Sequence, residues 1–294
     1  MAYQLEPRES LAAGLRRVAV EQAAAAGEHL SDAAKPEEAV HEARKRSKEA
    51  RAALRLLRGA LGPELERAAR ARFSDAAGRV SAIRDAEAAV ETIEKLRHHQ
   101  RLLRTEREAA ERALRERRDA ADASVDSTMR KQVAAAFEEA ANALPNVRVA
   151  TPESVAESLA RIYRRGKRRM EAAFASDAAP DFHAWRKSTK DLWYAVRLFE
   201  PAWPDPLGIL AGEIHELSQL LGGEHDLTVL RDALANAGGD PPLLTARIDR
   251  AIARRQRRLR ERAHEAGDRL WAEKPRAFAY RILDYWQAWH RAAR

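Results

Sequence analysis

Apolar positions along the chain recur at alternating spacings of three and four. Val40, Ala43, Ser47, Ala50, Leu54, Leu57 and Leu61 form one such series, and Phe182, Trp185, Thr189, Leu192, Val196, Phe199 and Trp203 form another. That spacing is the inward seam of a bundle helix. Alternation with period two is absent, β-branched residues are sparse, and the good helix formers Ala, Leu, Arg and Glu dominate, so the pattern predicts an all-α chain. Prolines and most glycines punctuate it. The predicted helices run over 9–30, 37–60, 64–80, 85–122, 128–143, 152–175, 181–200, 206–221, 226–236, 243–268 and 276–292. Thr151 followed by Pro152 and Glu153 reads as a helix start, an N-cap and then proline at the first helical position. The segment 145–151 is the best internal boundary.

Across that boundary the chain repeats itself. Aligning His41 with His183, a shift of 142 residues, also aligns Arg44 with Arg186, Lys45 with Lys187, Lys48 with Lys190 and Arg55 with Arg197. Ile83-Arg84-Asp85 aligns with Glu224-His225-Asp226, and Glu9-Ser10 with Glu153-Ser154, at nearly the same shift. Copies this long are not solenoid units. They predict two pseudo-symmetric antiparallel helical bundles arising from an internal duplication, with a basic channel or groove between them. One domain would fill 1–294, with repeat 1 over about 1–144 and repeat 2 over about 152–294.

The composition narrows the chemistry. The 294 residues carry 53 Lys and Arg against 45 Asp and Glu, a formal net charge of +8, and no cysteine. The absence of cysteine excludes disulfides, thiolate metal sites and cysteine nucleophiles. With no signal-like apolar stretch near the start and no run long enough for a membrane span, a cytoplasmic protein that does not contact a membrane is expected. The net charge points to a polyanionic partner. Only 9 of the basic residues are lysines, and four of these, Lys45, Lys48, Lys187 and Lys190, lie in the two repeated segments.

At about 100° per residue, His41, Arg44, Lys45, Lys48, Arg51 and Arg55 share a stripe beside the first seam, with Glu38, Glu42 and Glu49 on the far side. The second copy carries His183, Arg186, Lys187, Lys190 and Arg197, with Trp193 in the place of Arg51. A merely solvated helix face mixes signs so that charges pair at i, i+4. Here like charges recur, twice in one chain, so the fold must hold a repulsion that an anionic ligand would relieve. Arg161, Arg164, Arg165 and Arg168 on the helix before the second copy, Arg254 and Arg258 near the C-terminus, and Arg17 on the first helix extend the basic surface. The charge run at 97–118 interleaves Glu106, Glu108 and Glu111 with its arginines and reads as an internally paired, exposed helix.

These residues resemble the CHAD domain, the conserved histidine α-helical domain. The resemblance rests on the two His-x-x-Arg-Lys-x-x-Lys helices at His41–Lys48 and His183–Lys190, on Arg84-Asp85 and His225-Asp226, and on the closing segment KPRAFAYRILDYWQAWH. It implies two pseudo-symmetric four-helix bundles that bind inorganic polyphosphate along a basic channel, with association with polyphosphate granules in some members. It makes His41, Arg44, Lys45, Lys48, His183, Arg186, Lys187 and Lys190 the expected first contacts. The sequence holds no glycine-rich phosphate loop and no Ser/His/Asp set with a nucleophile elbow, so a binding module with no catalysis, cofactor or metal is expected.

Forked guanidinium groups match phosphate oxygens, and lysines supply mobile charge, so rows of both would track such a polymer without reading any sequence. Two alternatives stay open. Nucleic acid, RNA above all, would suit the charge, with Trp193 and Tyr194 as the stacking candidates. A metal-dependent phosphohydrolase would use His183, His215 and His225-Asp226. Against it, Arg84 stands where His225 stands in the other copy, and arginine does not ligate a metal. Asp85 and Asp226 then read as capping or arginine-orienting residues.

Overall fold

The computed structural model describes residues 3–31, 36–79, 81–99, 103–123, 127–147, 149–237 and 242–294, with the side chains of 31, 36–37, 81–85, 97–99 and 121–123 outside the description. Among the described residues the protein is all-helical. In chain order the helices are α1 (Leu11–Ser31), α2 (Pro36–Leu56), α3 (Arg58–Leu61), α4 (Pro63–Gly78), α5 (Ser81–His99), α6 (Arg104–Ala123) and α7 (Ser127–Asn142). They continue as α8 (Pro152–Ser176), α9 (Ala179–Arg197), a 3-10 turn (Glu200–Ala202), α10 (Pro204–Asn236), α11 (Ala246–Leu270) and α12 (Pro275–Ala292). Thr151 caps α8 as its sequence suggests: its side chain accepts from the Ser154 N–H, and Pro152 opens the helix.

The helices form three groups. In the first half α1 packs on α2 and α7, and α4 closes the ring against the same two. In the second half α8 packs on α9 and α12, α9 packs on α10, and the 3-10 turn lies between α10 and α12. The order of neighbours is the same in both. One apolar core runs through these two groups, with Leu15, Leu54, Phe73 and Phe137 on one side and Tyr163, Trp185, Phe199 and Phe278 on the other. The third group is mixed: the α5–α6 hairpin packs on α10 and α11 around a separate core of Ile93, Leu96, Leu114, Leu230, Ile252 and Leu259. Removing such a side chain from water contributes about 1.5–3 kcal/mol each.

Both predicted seams face inward. Val40, Ala43, Ser47, Ala50, Leu54 and Leu57 are buried, as are Phe182, Trp185, Thr189, Leu192, Val196 and Phe199. Their last members depart: Leu61 is half-buried and Trp203 is 48% exposed. The buried polar seam residues find partners, with Ser47 Oγ donating to the Phe73 carbonyl at 2.9 Å and Thr189 Oγ1 to the Trp185 carbonyl at 3.1 Å.

Two predicted boundaries fail for opposite reasons. The helix expected over 85–122 is two helices that fold back on one another, α5 and α6. No glycine or proline marks that break, and burial of two apolar faces against each other outweighs local helix preference. The helices expected over 206–221 and 226–236 are instead one continuous helix, α10, which runs through Gly222 and Gly223. Gly223 permits close packing on α11, since a Cβ there would lie 3.3 Å from Leu259 Cδ1.

Candidate functional site

Helices α2 and α9 each belong to one bundle, and they pack against one another where the bundles meet. Both seams turn into the shared apolar core, and the basic stripes beside them meet, with Lys48 of α2 feeling Lys190 and Arg186 of α9. The charges therefore converge. Burial pushes the Lys48 ammonium down to about 7, and Lys190, Arg44, Arg186 and Arg51 push it the same way. Arg51 is lowered as well, first by burial and then by Arg70 and Arg44 against the pull of Asp191. A group loses proton affinity in this manner only where desolvation and like charges act together.

His183 extends the cluster toward α10. Its ring stacks on that of His225, with centroids 4.1 Å apart and planes tilted by 37°. Burial holds His183 down at about 4, assisted by Lys187 and Arg186. His225 is held at about 3 by burial, then by His183, Arg186, Lys187 and Lys190. Both rings are therefore neutral at physiological pH. They form a polar floor beside the cations. A neutral imidazole carries a single N–H, so each ring has at most one donor for an incoming oxygen.

Carboxylates lie at the other end of the two rows. Arg55 Nη1 pairs with Asp191 Oδ1 at 3.0 Å, and Arg165 reaches the same carboxylate at 2.5 Å. Arg197 Nη1 pairs with Glu49 Oε1 at 3.4 Å and lies over the rings of Tyr3 and Trp193. Burial lowers Arg55 to about 10 in spite of Asp191. Glu49 is a correction to the helical projection, which places it on the solvent side of α2. It is 1% exposed and held by Arg46 at 3.3 Å as well as by Arg197. Projection around one helix cannot show that a second helix covers its outer face.

The predicted residues thus separate into groups. Arg44, Lys48, Arg51, His183, Arg186, Lys187 and Lys190 come together. Arg55 and Arg197 form the cross-bundle pairs, Arg165 of α8 reaches Asp191 within the second group, and Lys45 pairs with Glu42 at 3.1 Å. Arg17 is bound to Glu9 at 2.7 Å and to Glu21 at 3.1 Å, which makes it a local brace of the N-terminal segment. His41, Arg161, Arg164, Arg168, Arg254 and Arg258 are exposed on α2, α8 and α11. His225 belongs to the cluster although the repeated motif does not include it; its signal was the second match, to Arg84. The side chains of Arg84 and Asp85 lie outside the described residues. Asp226 sits mid-way along α10, where no helix end is present for it to cap.

Of the two stacking candidates, Trp193 is half-buried with its ring already in contact, and Tyr194 is buried. The His215 ring lies 4.5 Å from that of Trp193 between centroids, and the Arg197 guanidinium lies 4.9 Å from the same ring. Among the described residues no three His, Asp or Glu side chains gather as metal ligands, and no helix is long and apolar enough to cross a membrane.

The family model of the CHAD domain matches residues 14–235 of the chain. Among solved structures, the crystal structure of the CHAD domain from the plant Ricinus communis is similar, with a TM-score of 0.53 at 18% sequence identity, over 99% of this chain and 95% of that chain. At that identity the likeness is one of fold. No curated protein matches the chain.

Proposed function

The chain belongs to the CHAD domain family, and on that membership we propose that it is a non-catalytic module that binds inorganic polyphosphate, in the cytoplasm and at granules of that polymer. The observation that carries the reading is the meeting of the α2 and α9 cations around Lys48, whose ammonium is held near neutrality by burial and by Lys190, Arg44, Arg186 and Arg51. A chain of phosphates laid on Arg44, Lys48, Arg186, Lys187 and Lys190 relieves that repulsion. Guanidinium forks take oxygens in pairs, and the two lysines supply point charge. His183 and His225 lie in the same cluster, and a nearby anion shifts each ring toward its charged form.

A ligand without bases fits better than RNA, because Tyr194 is buried and the half-buried Trp193 ring already contacts His215 and Arg197. The phosphohydrolase reading would need metal ligands around His183 and His225, and the groups near them are cations instead.

The test is competition binding between long-chain polyphosphate and single-stranded RNA at equal charge concentration over a salt series. Polyphosphate should displace RNA in excess, with an affinity that falls steeply as salt rises. Equal competition, or no binding of polyphosphate, contradicts the proposal.

A further inference from the structure

A buried acid, Glu49, and a half-buried one, Asp191, stand between the basic rows of α2 and α9. Glu49 and Asp191 occupy equivalent places in α2 and α9, separated by the 142 residues that also separate Arg55 from Arg197. Each acid is paired with the arginine of the opposite helix, Glu49 with Arg197 at 3.4 Å and Asp191 with Arg55 at 3.0 Å. This is the reciprocal pattern of a two-fold interface, in which residue i meets j and j meets i. It is realised here inside one chain.

Stability alone does not account for such pairs. Buried ion pairs are often replaceable by apolar groups of like volume with no loss of stability. Burial indeed raises the Glu49 carboxyl above its ordinary range although Arg46 and Arg197 pull it down. What two reciprocal pairs supply is register: one fixed crossing of α2 over α9, imposed against the mutual repulsion of the rows beside them.

We infer that Glu49 and Asp191 are positioning residues: through Arg197 and Arg55 they hold α2 and α9 at the crossing that lets one polyanion lie on both cationic rows. This rests on the proposed reading of the site, and its test uses a sign that a simple charge effect cannot imitate. Both acids are negative charges beside a surface for a negative ligand. If they act only through charge, E49Q and D191N strengthen polyphosphate binding. If they position the helices, the same variants weaken it.

The experiment measures affinity for long-chain polyphosphate, and its salt slope, for the wild type, E49Q, D191N and the reversed pair E49R/R197E. All are measured well below their unfolding midpoints. E49Q and D191N should each lose about tenfold in affinity with a shallower salt slope, because fewer phosphates are neutralised at once. The reversed pair should return to within about threefold of the wild type if pairing is what counts. Unchanged or tighter binding in E49Q overturns the inference. Should D191N fail to fold, the Glu49–Arg197 series carries the test by itself. Should the wild type bind no polyphosphate, the functional reading fails, and the clamp is decided by a double-mutant cycle on unfolding: coupling between Glu49 and Arg197 upholds it, and additivity removes it.

Discussion

Lys48→Met should stabilise the free protein. The substitution keeps the volume of the side chain and removes the charge at the centre of the cluster. The ammonium is lowered from 10.5 to about 7 by burial and by four neighbouring cations. At 1.36 kcal/mol per unit that corresponds to a ceiling of about 5 kcal/mol. Lys48 is half-buried, so solvent and relaxation of its long side chain reduce this to about 1–2 kcal/mol. For a chain of this size such a gain raises Tm by about 2–3 °C.

The sign with pH follows from linkage. Between about 7 and 10.5 the unfolded chain holds a proton on Lys48 that the folded one gives up, so the contribution of Lys48 to stability improves as pH rises through that window. Below about 7 both states are protonated and the full penalty applies. Urea unfolding of wild type and variant at low salt, at pH 6.5 and pH 9.5, reads this directly. The variant should be the more stable at pH 6.5, and the gap should narrow at pH 9.5. A variant less stable than wild type at pH 6.5, or a gap indifferent to pH, would refute the picture of converging unrelieved charge.

Acid should weaken the fold through the stacked histidines. His183 and His225 titrate at about 4 and about 3 when folded and near 6.5 when unfolded, so their contribution is complete above pH 6.5 and is lost progressively as pH falls toward 4; melts over pH 4–7 should show a shallower decline for H183F/H225F, and identical slopes would count against it. Gly267→Ala should destabilise by about 1–3 kcal/mol through overpacking, since the new methyl would lie 2.6 Å from Met170 Sδ and 2.9 Å from Trp185 Cζ2; an unchanged Tm would contradict that packing. Thr151→Ala should cost about 1 kcal/mol by freeing the Ser154 N–H now 3.2 Å from Thr151 Oγ1, which chemical denaturation can measure.

Much of the fold is legible in the sequence because seam residues on α2 and α9 answer to their own helix. Val40, Ala43 and Leu54, or Trp185, Leu192 and Val196, repeat at three and four and are buried wherever that helix meets a bundle. Thr151 is legible for the same local reason. What escapes the sequence depends on other helices. The α5–α6 reversal carries no breaker residue, and Gly222-Gly223 reads as a break although α10 runs through it and Gly223 lets α11 approach. The candidate site divides along the same line. Its cations announce themselves by the repeated motif, whereas the inward role of Glu49 and the stacking of His225 on His183 exist only once α2, α9 and α10 are assembled.

The most direct measurement is calorimetric titration of polyphosphates of graded length into the wild type and K48E/K190E, two substitutions that reverse equivalent charges on α2 and α9. The wild type should bind, more tightly as the chain lengthens and less tightly as salt rises, while the double variant loses about tenfold or more at every length. Binding by K48E/K190E as strong as that of the wild type would show that the ligand does not lie on these two helices.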